Sequence, residues 1–344
     1  MRSFIFLCSL LSALLCVTVS CHESDSASSV PDVIFDTDIG GDIDDVLALQ
    51  MVINYHNAGK INLAAVTISK DNLKSVLLVD GICRFNGIDG IDIGFASNGV
   101  DPNEYYYLNP VLGARRHDGS PLVDPVVDTS SVEDGYVVMR RKLAEAKDGN
   151  VIIITVGSFC NMSNLLLSGP DEISPLNGVD LVARKVSKVC VMGGTFDSEN
   201  MFPEWNIKGD IPSSQRLFEL CPVTMVVSGW EVGNAVLYPA ESIENDFGDV
   251  NENPLTVAYT HYAEMPFSRP TWDLSSVYDA VMSDRKVYGL SDPGRIIVDD
   301  QGITHFTSDS AGRHHYLTIS PEQVDIAQRK LVESVAAKSF IDQQ

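Results

Sequence analysis

Positive charge is scarce in this chain: 24 Lys and Arg stand against 47 Asp and Glu, a formal net charge of −23 over 344 residues. That balance excludes recognition of nucleic acid or of anionic lipid through the fold itself, since both need a concentrated positive face. Cysteine pairs at metal-binding or redox spacing are also missing. Beyond residue 21 the cysteines are Cys83, Cys160, Cys190 and Cys221, set among mostly apolar neighbours and with no CxxC. They read as small buried hydrophobes. No Pro/Ser-rich linker and no internal repeat divides the chain. Its apolar leader, residues 4–19, is short for a membrane span.

That leader begins with Met1-Arg2 and closes with Val19-Ser20-Cys21, the layout of a secretory signal. A small residue before Cys21, followed by a polar run over 22–29, resembles a bacterial lipoprotein signal, which would make Cys21 a lipidated N-terminus. Thr18 stands where an aliphatic residue is usual, so plain secretion is the alternative. The expectation is an exported protein, periplasmic or on the cell surface, touching membrane only through a lipid on Cys21. Its parts are a signal over 1–21, a polar spacer over 22–30 and a single domain over 31–344.

Strand-like and helix-like runs alternate along that domain. Apolar, β-branched runs occur at 33–36, 63–68, 91–95, 151–156, 188–192 and 223–227, and helical patterns lie at 43–57, 73–85 and 133–147. The runs are continuous rather than alternating, as in strands buried on both faces. The pattern predicts an α/β fold, an open and mostly parallel sheet with helices on both faces. Ligands then bind beyond the carboxyl ends of the strands, where Asp36, Asp38, Ser69, Gly157, Gly193 and Ser228 fall. Near the end, 295–298 and 304–306 flank a turn and predict a hairpin; 314–319 adds a further run. A helix opens at Ser320-Pro321 and runs to about 340. This last part reads as an appendage of the same domain.

What the chain has in excess is carboxylate at one place. Asp36, Asp38, Asp42, Asp44 and Asp45 lie within ten residues, at the junction of the first apolar strand and its helix. One or two acids suit a helix N-terminus. Five repel one another unless something neutralises them. Carboxylate oxygens at a glycine-bearing turn suit a hard ion, Ca²⁺ or Mg²⁺, better than Zn²⁺.

The motifs, in order, resemble the nucleoside hydrolases, the inosine–uridine preferring N-ribohydrolases. Asp36-Thr37-Asp38-Ile39-Gly40 and Asp44-Asp45-Val46-Leu47-Ala48-Leu49 follow the family's DxDxGxDDxxAL pattern, with Gly41 and Asp42 extra. Further matches are Thr155-Val156-Gly157 with Asn161, Met192-Gly193-Gly194, Pro203-Glu204-Trp205-Asn206-Ile207, and Trp272-Asp273 with Ala280. The resemblance runs from about residue 30 to 280 and implies a Rossmann-like nucleoside hydrolase fold.

It also implies calcium-dependent hydrolysis of the N-glycosidic bond of ribonucleosides, or related N-ribosides, to free base and ribose. The calcium ligands fall on Asp38, Asp45, Asp273 and the backbone carbonyl of Val156, and Asp38 doubles as the general base. Asp44 holds a ribose hydroxyl, and Glu204, Asn206, Asn72 and Asn200 surround the sugar. A homo-oligomer and a role in purine or pyrimidine salvage are implied too. Trp272 stands where many members carry a His; it can stack on a base but is no acid at neutral pH. His117, His261, Tyr259 and Tyr262 are candidates for that missing role. The segment 97–121, rich in Tyr and Arg, reads either as a substrate lid or as a subunit contact. Two other readings stay open: a non-catalytic calcium-dependent binder of nucleosides or sugars, and a haloacid-dehalogenase-like Mg²⁺ phosphatase, for which Ile34-Phe35-Asp36-Thr37-Asp38 would be the strand-end motif.

Overall fold

The computed structural model describes residues 30–337, so the leader, Cys21 and the expected last turn of the C-terminal helix lie outside the described residues. The six apolar runs form the parallel strands β1 (Asp32–Thr37), β2 (Asn62–Lys70), β3 (Asp92–Val100), β4 (Val151–Thr155), β5 (Val186–Met192) and β6 (Thr224–Ser228). In space they run β3-β2-β1-β4-β5-β6. The chain leaves β1 toward β2 and β3, then returns to the other side of β1 as β4. The lip between β1 and β4 is therefore a topological switch point, where open α/β sheets form their ligand crevice.

Two short strands, β7 (Leu237–Tyr238) and β8 (Arg269–Pro270), pair as a separate ribbon. The remaining strands are β9 (Gly289–Leu290), β10 (Gly294–Val298), β11 (Thr304–Ser308) and β12 (His314–Thr318). The hairpin β10–β11 forms as its turn predicts and is appended to the margin of the same sheet. β12 adds in parallel to β6, His314 opposite Met225, and β10 joins β12 through Gly294 and His314. The sheet is thus extended by an antiparallel margin.

Helices cover both faces and enclose two apolar clusters, one on each side of the sheet. The helix Asp44–Asn57 is buried along all but its last two residues. It is enclosed by the sheet and by the helices Trp272–Met282 and Pro321–Val335, which is why it shows no polar stripe. Its few polar side chains have assigned partners. Asn54 donates from Nδ2 to the Ser334 and Val335 carbonyls at 2.9 and 2.7 Å, supplying donors at the end of the last helix.

Candidate active site

Two helices open at the same lip of the sheet. Asp44 and Asp45 occupy the first turn of Asp44–Asn57, and Asp273 the first turn of Trp272–Met282. Acids are favourable at both N-termini. The two ends are tied directly, since the Asp273 backbone N–H donates to Asp44 Oδ2 at 3.2 Å. One carboxylate oxygen each from Asp44, Asp45 and Asp273 lie within 4.8 Å of one another. Asp38 and Val156 border the same cavity, of about 460 Å³. The tightest acidic group is therefore Asp44, Asp45 and Asp273, with Asp38 on the adjoining wall.

The turn that carries these acids is shaped by close backbone approaches. Gly40 has φ +107°, and a Cβ there would lie 2.6 Å from Ser75 Oγ. A Cβ on Gly157 would lie 2.5 Å from the Asp38 backbone nitrogen, so glycine lets the β1 and β4 lips meet. Asp36 sits beneath, fully buried, accepting from Thr67 Oγ1, Thr155 Oγ1 and Asn161 Nδ2 at 2.7, 2.8 and 2.8 Å. Burial pushes its carboxyl up to about 6, against the pull of those donors. It braces β1, β2 and β4 and stands outside the cavity wall.

The cavity acids are all unfavourable as free anions. Burial raises Asp45 well above the usual carboxylate range, and the charges of Asp38 and Asp44 raise it further; Thr37 Oγ1 donates to it in partial relief. Burial also raises Asp273, with Asp44, Asp45 and Asp38 adding to it. Asp44 is raised by burial and by Asp42. Asp38 is pushed up to about 7 by enclosure in protein, although part of its surface opens to the cavity; the Lys70 ammonium opposes this rise.

Lys70 ends β2 almost wholly buried and was not singled out by its sequence context. Its Nζ donates to the carboxylate and carbonyl of Asp101, both at 2.9 Å, and lies 4.6 Å from the centre of the Tyr105 ring. Arg269 is the other unexpected cation, paired with the extra acid Asp42. Neither pairing has a local signal, because each partner is distant in sequence. A charged residue closing an apolar strand was the one available hint for Lys70.

On the far wall, Glu204 caps the short helix Trp205–Gly209. Its carboxylate accepts from the backbone N–H groups of Gly194, Asn206 and Ile207 at 3.0, 3.0 and 3.3 Å. Asn206 donates from Nδ2 to the Val156 carbonyl at 2.7 Å, and also reaches Met192. Its amide hydrogens are thereby engaged and its oxygen is left as an acceptor. Trp272 borders the cavity as expected; its Nε1 donates to the Trp230 carbonyl at 3.0 Å, and Trp230 and Phe202 continue the aromatic wall. Trp205 also borders the cavity and is 59% exposed.

Two expected sugar contacts are not brought to the cavity. Asn72 starts the helix Lys74–Phe85, accepting from the Lys74 N–H at 3.0 Å, and Asn200 is an exposed turn residue donating to Asp197 at 2.8 Å. Their amides serve local turns. Of the candidates for the missing acid, His117 is exposed and pairs with Asp249. His261 bonds the Val257 carbonyl of its own helix, and Tyr259 donates to the Phe267 carbonyl. Only Tyr262 borders the cavity. From the segment 97–121, Asp101 and Tyr105 reach the wall.

The model of the inosine-uridine preferring nucleoside hydrolase family matches residues 33–305. The chain belongs to that family and is a hydrolase acting on N-glycosyl compounds, which sets the phosphatase reading aside. Solved structures share the fold at low identity. A plant nucleoside hydrolase matches at 18% identity and TM-score 0.65, covering 89% of this chain and 99% of its own. The inosine-uridine preferring enzyme of Bacillus anthracis matches at 17% and 0.65, covering 90% and 100%. A purine-preferring ribonucleoside hydrolase from Gardnerella vaginalis matches at 15% and 0.67, covering 90% and 99%. Comparison with curated proteins gives no match.

Proposed function

We propose that this protein hydrolyses ribonucleosides to free base and ribose with a calcium ion held by Asp38, Asp45, Asp273 and the Val156 carbonyl, while Asp44 holds a ribose hydroxyl. The observation that carries this reading is the set of four enclosed carboxylates on one cavity lip; Lys70 beside it is paired with Asp101, Arg269 with Asp42, and the remaining cation on the cavity wall, Lys208, is exposed and lies over the Trp205 ring. Desolvation and mutual repulsion disfavour all four charges together. An all-oxygen donor set that includes a backbone carbonyl fits a hard ion with loose coordination geometry, calcium above zinc.

When bound, such an ion orients water and the sugar's neighbouring hydroxyls and offsets the acids' charge. The chain's own groups do the rest. Asp38, at the cavity lip, takes the proton of the attacking water. The Asn206 oxygen accepts from a sugar hydroxyl, and a sugar lacking that hydroxyl leaves it unpaired. Loss of the base leaves an oxocarbenium-like sugar, which the surrounding carboxylates support. Trp272 offers its face to the base. With the export expected from residues 1–21, the reaction would serve salvage outside the cytoplasm.

The test is release of base and of reducing sugar from a panel of nucleosides, with and without chelator, followed by calcium add-back. Turnover that disappears on chelation and returns with calcium is expected. Binding without turnover would favour the non-catalytic binder. Indifference to chelator would discard the metal-dependent reading.

A further inference from the structure

The two places where this chain departs from the family pattern meet at one side chain. Gly41-Asp42 lengthens the acidic turn, Trp272 precedes Asp273, and Arg269 touches both. Arg269 Nε donates to Asp42 Oδ1 at 2.8 Å and Nη2 donates to Asp42 Oδ2, a two-point grip on the carboxylate. Its guanidinium carbon lies 5.0 Å from the Trp272 ring centre and 5.3 Å from that of Tyr262. Asp42 is itself fixed: Oδ1 accepts from the Ile43 N–H at 2.6 Å, and its carbonyl accepts from the Tyr107 hydroxyl at 2.9 Å. Asp42, Arg269, Tyr262 and Trp272 all border the cavity that holds Asp44 and Asp273. The grip on Asp42 uses Nε and Nη2; Nη1 makes no hydrogen bond among the described residues.

Resting on the hydrolase reading above, we propose that Arg269 is the catalytic group that receives the departing base, and that Asp42 is its positioning residue. As the C1′–N bond breaks, its electron pair goes to the base. Water oxygen bonds to C1′, and the water proton passes to Asp38. The base leaves with negative charge on its ring, and Arg269 holds that charge by donating a hydrogen bond from Nη1. Arginine keeps its own proton throughout; solvent protonates the base afterwards. Stacking on Trp272 offers a surface but no charge, His117, His261 and Tyr259 lie elsewhere, and Tyr262, which does border the cavity, is neutral and lies under the Arg269 guanidinium, so Arg269 supplies the positive charge that the leaving group needs. The lengthened turn is what brings Asp42 within reach of Arg269.

The experiment compares inosine and uridine with p-nitrophenyl β-D-ribofuranoside, whose leaving group departs as a stable anion unaided. Arg269→Gln should lower kcat on the nucleosides by about 100-fold, the scale for loss of one preorganised donor, and on the nitrophenyl riboside by about threefold or less. Arg269→Lys keeps the charge without the planar fork and should fall between the two. Asp42→Asn should lower nucleoside kcat with little change in KM, and the Asp42→Asn/Arg269→Gln double variant should be no worse than Arg269→Gln alone. Equal losses on both substrate types would make Arg269 a structural support and overturn the assignment. So would a wild type that splits the nitrophenyl riboside but no nucleoside. Inactivity of the wild type toward every substrate would instead overturn the hydrolase reading, and this assignment with it.

Discussion

Asp38 stands between opposing influences at the lip of β1. Enclosure and the charges of Asp42 and Glu204 favour its protonated form, while Lys70 favours the ionised one. Lys70 does not neutralise it outright, because the ammonium is committed to Asp101. The carboxyl is left near 7 before any ion binds, and a cation held beside it would favour the ionised form that accepts a proton. Asp38→Asn keeps size and hydrogen-bonding shape but abolishes basicity. Turnover should fall by about 10³-fold, within the usual range for loss of a general base, while far-UV circular dichroism stays unchanged. Near-normal turnover in that variant would remove Asp38 from the chemistry.

At the scale of elements, the site is made by ends: the lips of β1 and β4, the starts of two buried helices, and the cap of a third. Glu204 shows how closely structure and site are joined, since three backbone donors converge on its carboxylate. Glu204→Ala leaves those enclosed N–H groups without an acceptor and should cost about 2 kcal/mol or more in a urea titration. It should also raise KM, because Asn206 follows in the first turn. A variant as stable as the wild type would show that the cap is dispensable. The strands were legible in the sequence for a local reason, their continuous β-branched runs; the cap was not, since Pro203-Glu204-Trp205-Asn206 reads there only as a motif of the sugar site. The acidic turn was legible because its charges crowd within one decade of residues. The pairing of Asp42 with Arg269 was not, since the partners are 227 positions apart and only the fold brings them together. Joining of the C-terminal hairpin to β12, and through it to β6, was hidden likewise, because a hairpin pattern fixes its own register and says nothing of the strand beside it. Asn72 and Asn200 illustrate the opposite difficulty: Asn at a turn has the same local signature whether it serves a ligand or its own backbone.

For the whole molecule, the enclosed acids couple stability to pH and to metal. An Asp raised from 3.8 to about 7 at Asp38, or to about 6 at Asp36, holds its proton in the folded chain after the unfolded chain has lost it. Asp44, Asp45 and Asp273 move in the same direction. The folded state therefore binds more protons, and these groups make stability fall as pH rises from about 4 through about 7. His314 works against them: burial and two nearby arginines lower it to about 4, so folding keeps it neutral and gains stability as pH rises toward 6.5. On the proposed reading calcium would separate the two contributions, because it would engage the carboxylates and leave His314 as it was. At a hundredfold excess over Kd, calcium should raise Tm by about 4 °C at pH 7.5, from the linkage gain and the usual unfolding entropy of a chain this size. At pH 4.5 protons compete for the same oxygens, and the rise should shrink to about 1 °C or less. Melting curves with calcium and with chelator at both pH values check this directly. An increment that does not grow with pH would mean that calcium, if it binds, does so away from these four carboxylates.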